Sequence, residues 1–173
     1  HFTSELIDDM RHRGFDFQSV TLHVGAGTFL PVKDENATEH PMHTEHFEVS
    51  LEALEALRRN PEAIVAVGTT SVRTLESLAA LAWRIKQRGT PSCDTVVGQW
   101  ELYDIPSDFQ CEEILSLLIE YMRVNDLSRM KAATQIMITP LGYRFRIVRY
   151  IITNFHQPKS TLLLLVSAYV GDD

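Results

Sequence analysis

The sequence predicts an α/β fold, a mixed sheet with helices on both faces in a three-layer arrangement. Short apolar runs rich in β-branched residues, such as residues 64–67, are typical of strands buried on both faces. After Gly68, Val72, Leu75 and Leu78 recur at helical spacing, so this strand is followed by an amphipathic helix. A length of 173 residues suits one domain of this kind better than two. We therefore expect residues 1–173 to form a single α/β domain.

The other elements follow from capping residues and apolar periodicity. Helices are predicted after Thr3 or Ser4 up to Gly14, over 51–59, from the hydroxyl residues after Gly68 to Gly89, over 112–124, and from 159–161 onward. Strands are predicted over 17–24, through 43–49, over 64–67, within 93–105, over 134–139 and within 143–152.

Polar residues stand at three of the predicted strand ends. Residues 17–24 run into Gly25, Gly27 and Thr28; residues 64–67 into Gly68, Thr69, Thr70, Ser71 and Arg73; and the strand before 153 into Asn154 and His156. Ligands of open α/β sheets bind beyond the carboxyl ends of the strands, where helix N-termini present free N–H groups. The three junctions together predict one shared cleft. An ordinary turn capped by threonine is the alternative for the second junction.

Residues 40–46 contain His40, His43, Glu45 and His46. Pro41 opposes a helix and the segment continues as a strand, so His43 and Glu45 are expected on one face and His46 on the other. A metal site needs convergent ligands, and we expect none here. The pattern favours a general acid/base role for His43 or Glu45. Polar residues on a solvent-facing edge strand are the alternative.

Although the net charge of the chain is −7, part of the sequence is basic. Residues 121–160 carry seven Lys and Arg residues against Asp126 alone. Such a region is suited to a nucleic-acid backbone, or it pairs with carboxylates elsewhere in the chain. The candidates for contact with nucleic acid are Arg123, Arg129, Lys131, Arg144, Arg146 and Arg149.

The expected location is the cytoplasm. Cys93 and Cys111 have no metal or redox spacing, which is typical of inert thiols in a reducing compartment. No window approaches the roughly 18 apolar residues of a membrane span, and no export leader follows His1. We therefore expect no membrane partner.

Four collinear stretches resemble a known family. They are residues 20–29, 40–45, 66–76 and 152–162. In this order they resemble S-adenosylmethionine:tRNA ribosyltransferase-isomerase, the queuosine-pathway enzyme. The resemblance runs nearly end to end, but it covers only the part of the family's main domain that follows an inserted small β-barrel domain. The family's C-terminal end is also missing from it.

The resemblance implies unusual chemistry. The ribosyl group of S-adenosylmethionine is transferred to 7-aminomethyl-7-deazaguanine in tRNA and isomerised to epoxyqueuosine, with release of adenine and methionine. This needs a base for the proton beside the sulfonium and an acid for the departing adenine. S-adenosylmethionine is then a co-substrate, and no metal or other cofactor is expected.

The residues receive predicted roles on this basis. The catalytic candidates are His43, Glu45 and His156. Substrate-binding candidates are His23, Gly25, Gly27, Thr28, Gly68, Thr69, Thr70, Ser71, Arg73 and Asn154. Arg73 is assigned to the ribose hydroxyls or the methionine carboxylate, which an arginine fork binds well. The alternatives are an S-adenosylmethionine-dependent methyltransferase, a metal-dependent hydrolase built on His40, His43 and His46, and an inactive ligand-binding fragment.

Overall fold

The computed structural model describes residues 2–23, 41–90, 95–154 and 160–171. Within these ranges the helices are α1 (Ser4–His12), α2 (Leu51–Arg59), α3 (Thr69–Arg88), α4 (Cys111–Val124) and α5 (Thr161–Val170). The strands are β1 (Thr21–His23), β2 (Glu45–Ser50), β3 (Val65–Val67), β4 (Val96–Val97), β5 (Arg129–Thr134) and β6 (Tyr150–Ile152). The predicted α/β class is confirmed.

The strands form two sheets. The larger has the order β1-β2-β5-β4, in which β2 is antiparallel to β1 and β5, and β4 is parallel to β5. The predicted mixed sheet is therefore confirmed. The smaller sheet pairs β3 with β6 in parallel. The strand over 64–67 thus belongs to a separate sheet, together with the strand that precedes Asn154.

The larger sheet has one apolar face and one polar face. Phe47 lies opposite Leu22 and Ala132 in the register and is buried in the core with residues of α2, α3 and α4. On the other face Glu48 lies opposite Thr21 and Lys131, and these side chains are partly or fully exposed. The described residues therefore cover this sheet with helices on one face. The expected second helical layer is not seen on the other face within those residues, because alternation puts polar side chains there.

Helix α3 is the centre of the core. Its residues from Val72 to Ala82 are buried all round, as is typical of a helix enclosed by other elements. It ends at Gly89, whose φ of +73° is the left-handed conformation of a helix C-terminus. It begins at Thr69 after Gly68, and no side chain caps it. The predicted capping by threonine is therefore wrong, since the hydroxyl residues lie inside the first turn.

The carboxyl ends of β3 and β6 lie side by side. Val67 pairs with Ile152, and the N–H of Gly68 donates to the carbonyl oxygen of Ile152 at 2.8 Å. Gly68 adopts a φ of +91°, which explains why a glycine turns the chain here. Two of the three predicted junctions therefore meet at one sheet edge. The first junction, at residues 24–28, lies outside the described residues.

Cys111 is a buried thiol. It is 1% exposed, and burial raises its pKa to about 11. Since the thiolate is the reactive form, this agrees with the prediction of an inert thiol. Cys93 lies outside the described residues. In the described ranges no helix is long and apolar enough to span a membrane.

Candidate active site

A buried charged group joins β2 to α3. Glu45 is the first residue of β2, and strand alternation turns it toward the helices, where it is 1% exposed. Arg73 of α3 is 3% exposed, and its Nη1 donates to Oε2 of Glu45 at 2.6 Å. The Nε2 of His43 lies 3.2 Å from the other carboxylate oxygen, Oε1. The predicted neighbours His43 and Glu45 are thus brought together, with Arg73 beside them.

The guanidinium of Arg73 is fully engaged with the protein. Its Nε donates to the carbonyl oxygen of Ile136 at 3.2 Å, and its Nη2 lies 3.5 Å from the carbonyl oxygen of His43. Burial lowers the pKa of Arg73 and the charge of Glu45 opposes that shift; an arginine remains protonated at neutral pH. The fork predicted to bind a ligand carboxylate here contacts Glu45 and two carbonyl groups, and the assignment of Arg73 to a ligand stays a prediction.

His43 is the accessible member of the group, with a side chain 24% exposed. Its contact with Glu45 favours the tautomer protonated at Nε2, which leaves Nδ1 as the basic nitrogen. The longer approach of Arg73 Nη1 to the same Nε2, at 3.5 Å, does not compete with it. This arrangement matches a general base oriented by a buried carboxylate.

His46 lies on the opposite face from His43 and is exposed, as predicted. The two imidazoles therefore cannot bind one metal ion as a pair. Among the described residues no group of three His, Cys, Asp or Glu side chains is placed to hold a metal. His40 lies outside them.

A hydrogen-bonded support lies behind Arg73. Ser77, one turn later on α3, donates its hydroxyl to the carbonyl oxygen of Arg73 at 2.7 Å, and its oxygen lies 2.8 Å from the hydroxyl of Thr134. Thr134 in turn accepts from the N–H of Ile136 at 3.2 Å. These contacts hold the backbone of Ile136, whose carbonyl oxygen accepts the hydrogen bond from Arg73 Nε. They were not predicted; the spacing of Ser77 four residues after Arg73 was the available signal.

The first turn of α3 is the second part of the site. The first intrahelical bond runs from Val72 N–H to the carbonyl oxygen of Gly68, so the N–H groups of Thr69, Thr70 and Ser71 are not used within the helix. Thr69 is buried, whereas Thr70 and Ser71 are half-buried. Asn154 is exposed just after β6, at the same sheet edge. The N–H groups and hydroxyls of Thr69, Thr70 and Ser71, together with Asn154, form what we call the polar rim of the site.

The remaining site predictions divide into two groups. His23 lies apart from the His43–Glu45–Arg73 group, since its side chain is 60% exposed on the open face of the sheet, 4.0 Å from Glu48. Alternation along β1 and β2 puts it on the opposite side from Glu45. Gly25, Gly27, Thr28 and His156 lie outside the described residues.

Glu76 is a buried carboxylate that the sequence analysis missed. It is fully buried and accepts hydrogen bonds from the Tyr143 hydroxyl at 2.7 Å and from the N–H groups of Arg146, Ile147 and Val148 at 2.8–3.0 Å. Burial, and next the charge of Glu76, raise the pKa of Tyr143 well above its ordinary value. Glu76 lies three residues after Arg73 on α3 and holds the segment that leads into β6. Glu76 therefore positions the end of β6, which Asn154 follows.

The structure divides the six predicted nucleic-acid contacts. Four of them have carboxylate neighbours: Arg123 at 2.6 Å from Glu55, Arg129 and Lys131 at 4.0 and 3.1 Å from Glu48, and Arg149 at 3.2 Å from Glu62. Within the described ranges, Arg144 and Arg146 have no carboxylate oxygen within 4.0 Å. The basic region is therefore largely neutralised by acids elsewhere in the chain.

Comparisons with known proteins place this chain in one family. A family model described as queuosine biosynthesis protein matches residues 1–173. A protein of Symbiobacterium thermophilum is 40% identical over 176 residues, and one of Treponema denticola is 36% identical over 176 residues. Both are named S-adenosylmethionine:tRNA ribosyltransferase-isomerase, and each alignment covers all of this chain and 39% of the relative. The chain thus spans about two fifths of their length.

A comparison of the fold with solved structures supports the same family. The crystal structure of an S-adenosylmethionine tRNA ribosyltransferase from Thermotoga maritima superposes with a TM-score of 0.57 at 29% identity. The match covers 98% of this chain and 40% of that one. This agrees with the resemblance of the four sequence stretches, which covers only part of the family's length. The chain therefore belongs to the queuosine biosynthesis protein family.

Proposed function

We propose that this chain supplies the donor-binding and proton-transfer part of an S-adenosylmethionine:tRNA ribosyltransferase-isomerase, acting as one α/β domain of a longer enzyme. The observation that carries the proposal is the His43–Glu45–Arg73 group. It combines a partly exposed imidazole with a carboxylate that is buried and held by a buried arginine. Family membership and the names of the relatives agree with this role.

His43 is the proposed base. The carbon beside a sulfonium is acidic, and Nδ1 of His43 accepts its proton while Glu45 stabilises the imidazolium that forms. Arg73 is a positioning residue that orients Glu45. His156 stays a catalytic candidate, proposed to lie near the departing adenine or the incoming amine. S-adenosylmethionine is consumed as a substrate, so the proposed reaction uses no metal and no other cofactor.

The polar rim is the proposed site for the nucleoside. The N–H groups and hydroxyls of Thr69, Thr70 and Ser71 are suited to ribose hydroxyls and the methionine carboxylate, since helix N-termini favour anionic groups. Asn154 is placed at the same edge to fix a hydroxyl or a base edge. Gly25, Gly27 and Thr28 are proposed to let the backbone approach the nucleoside.

The proposed partner is tRNA that carries 7-aminomethyl-7-deazaguanine, and the proposed location is the cytoplasm. The basic residues that the sequence predicts as contacts remain proposals of unequal weight. Arg144 and Arg146 are favoured, because Arg123, Arg129, Lys131 and Arg149 have carboxylate neighbours that compete with phosphate.

Replacing His43 with glutamine is expected to lower adenine release by about 100- to 10,000-fold, the usual contribution of a general base. Glutamine keeps a donor for Glu45 but cannot accept the proton. Release of adenine from S-adenosylmethionine is measured with tRNA that carries the precursor base, in a longer family protein that contains these 173 residues.

The matched control is His46→Gln, which changes an exposed imidazole on the opposite face of the sheet. It is expected to retain adenine release. Equal losses in both variants would contradict the assignment, and so would full release by His43→Gln.

A further inference from the structure

A polar cavity of about 300 Å³ lies between the segments 102–107 and 142–146. Among the residues that line it are Arg144, Arg146, Ser107 and Gly142. Arg144 and Arg146 are the two candidate nucleic-acid contacts that have no carboxylate within 4.0 Å in the described ranges. Both arginines of the basic region that lack a carboxylate within 4.0 Å among the described residues therefore line one cavity.

Arg146 is an unusual lining residue because it is buried. It is 6% exposed, and its guanidinium donates only to carbonyl oxygens, those of Ile105 at 2.7 Å and Arg144 at 3.2 Å. Its Nε is buried and has no hydrogen-bond partner within the part of the chain that is described. A buried cation without an anion is costly, and removal from water does not neutralise a guanidinium at neutral pH.

Glu76, the carboxylate that contacts the backbone of Arg146, is already used by other donors. Glu76 accepts four hydrogen bonds, from the Tyr143 hydroxyl and from the backbone N–H groups of residues 146–148. It contacts the backbone of Arg146 and forms no ion pair with its side chain. Among the described residues the guanidinium of Arg146 thus has no carboxylate partner, and an anion from outside them could pair with it.

The cavity is suited to a phosphate group. Arg144 can bind phosphate oxygens in the forked geometry that arginine favours, Arg146 adds its positive charge beside it, and the hydroxyl of Ser107 adds a donor. Gly142 adopts a φ of +83° at the rim, where a side chain would be strained. Arg144 is exposed, so the cavity can be reached from solvent.

We propose that this cavity binds a backbone phosphodiester of an RNA. The choice of RNA rests on the proposed function, whereas the need for an anion rests on Arg146 alone. Helix α3 connects the cavity with the candidate active site, since Arg73 holds Glu45 and Glu76 holds the residues around Arg146. An RNA phosphate bound here would thus be held at a fixed position relative to the proposed donor site.

The test titrates a short RNA stem-loop, and separately inorganic phosphate, into the 173-residue chain without S-adenosylmethionine. The variants are Arg144→Gln and Arg146→Gln, and the matched control is Arg59→Gln, which removes an exposed arginine that is paired with Asp16 and is not a candidate contact. Each cavity variant is expected to weaken stem-loop binding about tenfold, as expected for loss of a charged hydrogen bond. Each should also reduce the slope of log K against log salt by about 0.7–0.9.

Backbone amide NMR shifts locate the bound group. Both inorganic phosphate and the stem-loop should shift the amide signals of Gly142 and Arg144. Wild-type affinity in both cavity variants would overturn the proposal, and so would an equal loss in Arg59→Gln. Phosphate binding without stem-loop binding would overturn the RNA assignment in favour of a small anion.

Two further points keep the test decisive. Arg146→Gln removes two bonds to carbonyl groups, so its thermal unfolding is measured first, and Arg144→Gln carries the test if that variant does not fold. Because no S-adenosylmethionine is present, failure of the proposed donor site leaves these titrations unchanged. Stem-loop binding through the cavity would therefore stand even if the donor-site proposal failed.

Discussion

Replacing Arg73 with methionine is expected to lower the free energy of unfolding by about 3–5 kcal/mol, the usual cost of breaking a buried ion pair. The substitution keeps most of the side-chain volume but removes the guanidinium partner of the Glu45 carboxylate, which is 1% exposed. It also leaves the carbonyl oxygen of Ile136 without its donor. Denaturant unfolding of the wild-type and variant chains measures the difference.

The double variant Arg73→Met/Glu45→Leu separates the charge from the packing. Because it removes both charges together, it is expected to be more stable than Arg73→Met alone. The matched control is Lys86→Met, which breaks the half-exposed pair with Glu113 and should cost about 0–1 kcal/mol. A cost for Arg73→Met no larger than that of Lys86→Met would contradict the account.

Replacing Glu76 with alanine is expected to cost about 4 kcal/mol or more, since four buried donors lose their acceptor at about 1–3 kcal/mol each. The loss should be concentrated at residues 146–148, whose N–H groups bind the carboxylate. The substitution should increase the rate of amide hydrogen exchange more at residues 146–148 than in the buried part of α4. Denaturant unfolding gives the total cost.

Tyr143→Phe is the matched variant for Glu76. It removes only the hydroxyl that donates to Glu76 at 2.7 Å and keeps the ring, so it should cost about 1–3 kcal/mol. If Glu76→Ala proved no more costly than Tyr143→Phe, the backbone contacts of Glu76 would not have the assigned importance.

Local patterns predicted the parts of the site that lie within one strand or one turn. The alternation of residues 43–46 placed His43 with Glu45 and His46 apart from them. The glycine and hydroxyl residues after 64–67 identified the strand end that meets the edge near Asn154. Such inferences need only the period of the strand and the conformational freedom of Gly68.

Features that depend on distant partners could not be predicted in the same way. The partners of Arg73 are 28 and 63 residues away, at Glu45 and Ile136, so no local pattern distinguishes this buried arginine from a ligand-binding one. Strand β5 was predicted over 134–139 instead of 129–134, because Arg129 and Lys131 on its exposed face hide the apolar alternation. Glu76 was missed because a glutamate on a helix is ordinarily exposed.

The central claim is that His43, Glu45 and the first turn of α3 form the donor pocket. The most direct measurement is a titration of the isotope-labelled chain with S-adenosylmethionine, followed by NMR of backbone amides and histidine side chains. The account predicts saturable shifts at His43 and at residues 68–71, with His46 and Lys131 unchanged. A folded chain that shows no shifts at these positions, or shifts only on the open face of the sheet, would contradict it.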